Sequence, residues 1–355
     1  MSIQPRPTLR DIARRAGCHY STVSLALRDH PRIAADTRRR VQEVAHQLGY
    51  RPDAMLTALS AYRHRKRPAG SFTTVAWLTN HGRRAGWKDS ACNVDYFNGA
   101  TARGGERGYR LEPFWLAEPG MTPRRMSDIL HARGVQGVLL PPQERLCSIE
   151  LDWDRFSAVT FGYTLIQPRL HLVSNHEYRT MGTLFAELQR RDYRQIGLVD
   201  LREHDARVDH NWLAAYLIEQ HRLAPGRQLP PLILERWDDT RFLAWLREHR
   251  PEAIVTKLPD VLQCLQRAGL RVPDDIGVAF HSLDEGAHRL SGMKKNAWQL
   301  GVMAMDLVID MIHRNERGLP ALPHLSMVEG SWVEGRTLRP FTAAPMPSTA
   351  LTVPV

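Results

Sequence analysis

The 355-residue chain holds only four cysteines, Cys18, Cys92, Cys147 and Cys264, and they stand far apart. No pair has metal-ligand spacing and their scatter argues against a disulfide scaffold, so they read as reduced, mostly structural thiols. No run of 18 apolar residues occurs, which excludes a sequence-evident membrane span. The opening residues lack a signal peptide's apolar core, and the protein is therefore expected to stay in the cytoplasm with no membrane partner. Enzyme signatures are scarce too. There is no Gly-x-Ser-x-Gly elbow and no phosphate-cradling Walker loop. Gly104, Gly105 and Gly108 fall inside or at the end of a helical pattern rather than at a strand-to-helix turn, so packing and a C-cap explain them better than a dinucleotide. His204, Asp205, Asp209 and His210 are metal-ligand types, but they lack a helical histidine pair at i and i+4. The expectation is a non-enzyme with neither cofactor nor metal.

What is present is distributed unevenly. Residues 1–70 carry 14 Lys and Arg against 5 Asp and Glu, so nearly all of the chain's formal charge of +10 sits at one end. A basic patch confined to a small domain is the electrostatic footprint of phosphate contact. With 43% hydrophobic and 24% charged residues, the remainder can bury a sizeable core, and the length allows two to three units.

Within the basic segment, Thr8 is placed to cap a helix, with Asp11 reaching back to the capping amide and Leu9, Ile12, Ala13 and Ala16 recurring on one face. Gly17 ends it. After Gly17, Cys18 and His19 comes a second amphipathic run, Tyr20 to Leu27, with Val23, Ala26 and Leu27 facing inward and Tyr20, Ser21, Thr22 and Leu25 on other faces. A third helix is expected from Thr37 to Leu48, its Val41, Val44, Ala45 and Leu48 closing a small core and Gly49 stopping it. Beyond Pro52, Asp53 can cap a short helix running to about Tyr62. Isolated helices below ~12–15 residues are marginal in water, so this one should order only against a partner.

Thr8-Leu9-Arg10-Asp11-Ile12-Ala13, Ala16-Gly17, Tyr20-Ser21-Thr22-Val23-Ser24, Thr37-Arg38 and Gly49-Tyr50-Arg51-Pro52 together resemble the opening of the lactose/galactose-repressor family. The resemblance implies a second helix in the major groove, with Tyr20, Ser21 and Leu25 choosing bases and His19 in place of the usual Ser cap. Leu25 departs from the long polar side chain often found there. The wider DNA-facing set it implies comprises Thr8, Thr22, Ser24, Arg28, Thr37, Tyr50, Met55 and Leu56. It further implies a hinge helix whose leucine, here Leu59, wedges into the minor groove. Leu56 and Thr57 depart from the Ala and Arg usual in that helix. The basic run Arg63-His64-Arg65-Lys66-Arg67-Pro68 could hold phosphates or be a solvated linker, and is expected to do both. The implied partners are a palindromic double-stranded operator and a second copy of the chain, since two half-sites match a twofold axis.

From Thr73 onward, short apolar strands alternate with longer amphipathic segments, the signature of parallel sheets covered by helices. Strands are expected at Thr73–Thr79, after Gly108-Tyr109, at 135–140 and at Ala158–Phe161. A second unit starts near Leu172, with strands at 196–199, 232–234, 253–255 and 276–280. Helices are expected near 96–107, 126–132, 181–190, 212–220, 261–268 and 298–312, and one last strand near 326–333. This pattern resembles the family's periplasmic-binding-protein-like core of two parallel-sheet subdomains. The expected division is a helix-turn-helix head over 1–52, hinge and linker over 53–71, a core over 72–340 and a tail over 341–355. The core's halves are 72–171 with 298–324, and 172–297 with 325–340.

Ligands of such sheets lodge beyond the carboxyl ends of the strands, which places an effector between the halves. By the resemblance the candidate effector residues are Asn80, Arg207, Asp209, Trp212, Lys257, Ser282 and Asp284. Lys257-Leu258 replaces the usual Asn-Asp type pair, Ser282 stands where Asp commonly binds hydroxyls, and Asp209 stands where Arg is usual. A sugar is the class the family implies, whereas Lys257 with Arg207 suits an acidic sugar or another anion. The rival reading is an α/β ligand-binding or enzymatic protein whose basic head binds RNA. Tyr20, Tyr50 and Tyr62 are the head's only aromatics and make no stacking platform, which favours duplex DNA.

Overall fold

The computed structural model describes residues 7–27, 33–48, 50, 73–284 and 286–341. The expected hinge helix with Met55, Leu56 and Leu59, the basic run 63–68, Arg28, Gly49 and the tail beyond residue 341 lie outside the described residues.

The head is three helices, α1 (Leu9–Ala16), α2 (Tyr20–Ala26) and α3 (Ala35–Gln47). A reciprocal capping box starts α1: the Asp11 backbone N–H donates to Thr8 Oγ1 at 3.4 Å, and the Thr8 backbone N–H donates to Asp11 Oδ2 at 2.9 Å. Gly17 closes it in the left-handed region at φ 63°, where a side chain would be strained. Ile12, Ala13, Ala16, Val23, Ala26, Val41 and Ala45 form the buried centre, with Leu27, Val44 and Leu48 packed around it. Helix α3 begins two residues before the expected Thr37, because Ala35 and Asp36 extend it; Asp36, in the first turn, complements the helix dipole and pairs with Arg39 at 2.7 Å.

Two six-stranded sheets build the core. The first runs β2 (Tyr109–Trp115), β1 (Thr73–Thr79), β3 (Gly137–Leu140), β5 (Ser157–Phe161), β7 (His171–Asn175), β13 (Leu325–Val328), all parallel. The second runs β9 (Leu232–Leu234), β8 (Ile196–Leu201), β10 (Ala253–Thr256), β11 (Gly277–Leu283), β12 (Ser291–Lys294), β14 (Ser331–Val333), parallel except for β14. A small pair, β4 (Cys147–Ser148) with β6 (Leu165–Gln167), lies beside the first. Central strands such as Gly137-Val138-Leu139-Leu140 are buried along their whole length, as strands covered on both faces must be.

Each sheet is sandwiched by helices. In the first half, α4 (Ala91–Arg107) and α11 (Ala297–Arg314) cover one face and α5 (Pro123–Ala132) the other. In the second, α6 (Glu177–Arg190) and α8 (Asn211–Arg222) cover one face, α9 (Asp239–His249) and α10 (Pro259–Arg267) the other, while α7 (Arg202–Ala206) leaves the end of β8. Helices α4 and α11 meet backbone to backbone. A Cβ at Gly99 would lie 2.1 Å from the Trp298 carbonyl oxygen, and one at Gly301 would lie 2.1 Å from that of Tyr96.

Two of the crossings between halves differ from those expected, while the one that enters α11 lies beside the expected boundary at 297–298. Residues 171–175 form β7, which pairs with β5, so the chain leaves the first sheet after Asn175 rather than before Leu172. The single strand expected over 326–333 is two strands interrupted by Glu329 and Gly330. Strand β13 joins β7 of the first sheet and β14 joins β12 of the second. Local pattern does not distinguish these arrangements, because sheet membership depends on pairing with sequence-distant strands. The return crossing lies between Lys294 and Ala297.

Candidate effector cleft and nucleic-acid interface

A cleft of about 810 Å³ opens where the carboxyl ends of both sheets converge. Its walls are the residues that follow the strands: His81 after β1, Glu144 after β3, Tyr163 after β5, Asn175 ending β7, His204 after β8, Lys257 after β10 and Asp284 after β11. Parallel strands deliver all these loops to one edge, which is why residues distant in sequence meet there.

Of the seven expected effector residues, Arg207, Trp212, Lys257, Ser282 and Asp284 line this cleft. Asn80 and Asp209 do not. The Asn80 backbone N–H donates to Gln143 Oε1 at 2.6 Å, which ties the end of β1 to the loop after β3. Asp209 sits at φ 54° in the turn before α8, exposed to solvent. Sequence reasoning passed over His81, Glu144, Asn175, Glu177, His204 and Lys295, all of which line the cleft. The strand-end rule alone would have pointed to His81 and Asn175. Lys295 carried no signal of its own: the crossing was expected beside it, at 297–298, but nothing in the local pattern turns this residue toward the cleft.

One wall holds a buried polar chain. Asp200, at the end of β8, accepts from His281 Nε2 at 2.8 Å and from His204 Nδ1 at 3.0 Å. Burial by itself would raise this carboxyl's pKa, but the two imidazoles and the Leu201 N–H hold it well below the usual carboxylate range. Asp200 therefore fixes His204 with Nδ1–H turned inward and Nε2 free of it. The His281 ring lies 4.1 Å from that of Trp212, whose Nε1–H donates to Glu177 Oε2 at 2.8 Å. Burial, and secondarily Lys295, pushes Lys257 down to about 8. Across the mouth, Arg207 of the second half donates to the main-chain carbonyls of Glu144 at 2.7 Å and Gln143 at 3.0 Å in the first. Glu144 Oε2 accepts the Gly82 N–H at 2.7 Å, which lowers its pKa.

Of the residues weighed as metal ligands, His204 pairs with Asp200 at 3.0 Å and His210 with Asp205 at 2.8 Å, while Asp209 is exposed. Among the described residues no helix is long and apolar enough to cross a membrane.

On the head, Tyr20 is 52% exposed at the start of α2, with its ring 4.7 Å from that of His19. Thr22 and Leu25 are half-buried on the same helix, which also contains Ser21 and Ser24. Thr8 is exposed as the α1 cap, Thr37 is half-buried in the first turn of α3, and the Tyr50 N–H donates to the Ala45 carbonyl at 3.0 Å. A three-helix head whose second helix begins on the exposed Tyr20 and a two-lobed α/β core with an interlobe cleft define the architecture of a helix-turn-helix protein with a periplasmic-binding-protein-like domain.

Comparison with known proteins agrees for each part. Residues 8–53 match the family described as "Bacterial regulatory proteins, lacI family", and residues 177–338 match the "Periplasmic binding protein-like domain". The chain thus carries a lacI-family helix-turn-helix domain and a periplasmic-binding-protein-like domain. The HTH-type transcriptional regulator GalS of Salmonella typhimurium is 43% identical over 53 residues, 15% of this chain and 16% of the relative. Catabolite control protein A of Priestia megaterium is 37% identical over 54 residues, again 15% of this chain and 16% of the relative. The matched stretch thus spans about a sixth of each curated relative and coincides with the head. Among solved structures, a transcriptional regulator CelR–cellobiose complex aligns over 94% of this chain and 100% of that chain at 18% identity with a TM-score of 0.53. The lac repressor dimer bound to operator and the anti-inducer ONPF aligns over 94% and 99% at 15% identity with a TM-score of 0.54. These two likenesses bear on the fold.

Proposed function

We propose that this chain is a sequence-specific, DNA-binding transcriptional repressor that works as a homodimer on a palindromic duplex operator and responds to a small effector in the interlobe cleft. The reading makes it a cytoplasmic regulator rather than an enzyme. The observation that carries it is the head: a capped three-helix unit, matched by the lacI family over residues 8–53, within a segment, residues 1–70, that holds almost all of the chain's net positive charge. Tyr20, Ser21 and Leu25 choose bases from α2. His19, Thr22, Ser24, Arg28, Thr8, Thr37 and Tyr50 position the head on the phosphates, and Met55, Leu56 and Leu59 form the minor-groove hinge. Good base contacts contribute ~1–3 kcal/mol of discrimination each, while phosphate contacts set salt-sensitive affinity. The domain division follows: head to residue 52, hinge and linker over 53–71, core over 72–340.

The cleft offers donors and acceptors side by side, with Asn93, Asn175, Glu177 and Ser282 among its walls. That mixture fits a hydroxyl-rich ligand, and CelR is named with cellobiose, a carbohydrate class that suits this chain as well. Ligand and operator affinities are linked reciprocally through the geometry of the two lobes. Binding-site selection with Tyr20→Ala/Ser21→Ala tests the head. The double variant should lose its preferred site yet keep salt-sensitive affinity, and an unchanged preferred site would sink the assignment of α2. Gel shifts with duplex DNA against single-stranded RNA separate the operator reading from RNA binding, and preferential capture of RNA would favour the latter.

A further inference from the structure

Two ammonium groups of the cleft flank the same indole ring, and neither is ion-paired among the described residues. Lys257 Nζ stands 5.9 Å and Lys295 Nζ 5.5 Å from the centroid of the Trp212 ring. Lys257 follows β10 of the second half, and Lys295 lies in the crossing that leads back to α11. No described carboxylate lies within 4.0 Å of either.

The acidic groups of the cleft are engaged elsewhere or lie outward. Glu177 accepts the Trp212 N–H, Asp89 pairs with Arg83 at 2.5 Å, and Glu144 accepts the Gly82 N–H. Asp260 sits in the first turn of α10 and Asp284 is exposed. Nearby Asp200 is buried and shared by two histidines. The quadrupole of one indole ring is a weak partner for two like charges, and partly buried cations without a counter-ion are costly. Arg207 is not the third member of this cation set, because its guanidinium is occupied by the carbonyls of Gln143 and Glu144. A further polar group also waits in the cleft wall: His81 is 6% exposed and its buried Nδ1 has no partner.

Resting on the effector role proposed for this cleft, we infer that its ligand carries an anionic group, a carboxylate or a phosphate ester, seated between Lys257 and Lys295 beside Trp212. Burial, and secondarily Lys295, lowers the pKa of Lys257, and an anion beside both ammoniums would favour its charged form. The anion neutralises both ammoniums, and the ligand's hydroxyls turn toward the amides, Glu177 and His81.

Calorimetric titration of the full chain without DNA tests this with four probes at constant ionic strength: glucose, glucuronate, glucose 6-phosphate and inorganic phosphate. The expected result is saturable binding of at least one anion, about tenfold or more tighter than glucose, the loss expected when a charge-assisted contact is removed. Lys257→Met and Lys295→Met should each weaken that binding by a similar factor, and Lys295→Arg should restore it. Glucuronate alone binding assigns a carboxylate; glucose 6-phosphate with phosphate assigns a phosphate ester. The inference is overturned if glucose binds as tightly as the anions, if no anion saturates, or if folded Met variants keep full anion affinity. Gel shifts with the loaded protein then separate the two claims. An anion that binds through the lysines but leaves operator affinity unchanged keeps this site and removes the effector role.

Discussion

Arg207 is the residue whose loss should change the shape of the protein most directly. It extends from the turn after α7 and donates two hydrogen bonds, at 2.7 and 3.0 Å, to the carbonyls of Glu144 and Gln143 on the opposite half. Hydrogen bonds from a charged group contribute about 1.5–3 kcal/mol each when buried, and the half-buried position of this guanidinium reduces the pair to roughly 1–3 kcal/mol. Burial also depresses its pKa, the mark of a charge partly removed from water. Removing both bonds with Arg207→Met, which keeps much of the stem, should shift the closed-to-open ratio by a factor of roughly 5–150. Small-angle scattering of the ligand-free chain is the assay, supported by distance measurements between spin labels at exposed sites on the two halves, such as Glu118 and Glu235, in a background without native cysteines. The expected outcome is a larger radius of gyration and a longer, broader interlobe distance, both reverting when ligand bridges the halves. Superimposable scattering and distance distributions would show that Arg207 does not hold the cleft shut.

Three further outcomes follow from the packing. Asp200→Asn should cost about 1–3 kcal/mol at neutral pH, because an amide cannot serve both His204 and His281 as the carboxylate does, and urea unfolding measures it. The folded-state pKa of Asp200 lies below its ordinary value of 3.8, so this contribution is present above about pH 4 and lost as pH falls through the lower folded value. A gap between wild type and variant that closes at neutral pH instead would refute the ionised assignment. Gly301→Ala should destabilise the first half despite a helix-propensity gain of about 1 kcal/mol, since its Cβ would lie 2.1 Å from the Tyr96 carbonyl oxygen. A thermal midpoint equal to wild type would mean that α4 and α11 separate easily. Thr8→Ala should lower the stability of the head by about 0.5–2 kcal/mol through loss of the cap, read from the melting of its helical signal, whereas Thr8→Ser should retain most of it.

The elements of the head were legible in the sequence because their causes are local. Thr8 and Asp11 close a capping box within one turn, Gly17 takes a conformation that other residues resist, and Val23, Ala26, Val41 and Ala45 fall at helical spacing. The alternation of core strands and helices was legible for the same reason, down to β1 at Thr73–Thr79 and β9 at Leu232–Leu234. Even the general location of the cleft followed from the rule that parallel strands present ligands at their carboxyl ends. Tertiary structure alone decided which sheet the strands at the crossings joined: His171–Asn175 pairs with β5, and Leu325–Val328 and Ser331–Val333, read as one strand, part to opposite sheets. Those choices depend on hydrogen bonding to strands far away in sequence. They also placed Lys295 beside Trp212, turned Asn80 and Asp209 away, and set Arg207 against a carbonyl pair on the other half. Residue type and spacing name the available chemistry, but the convergence of side chains from both halves arises only once the sheets are assembled.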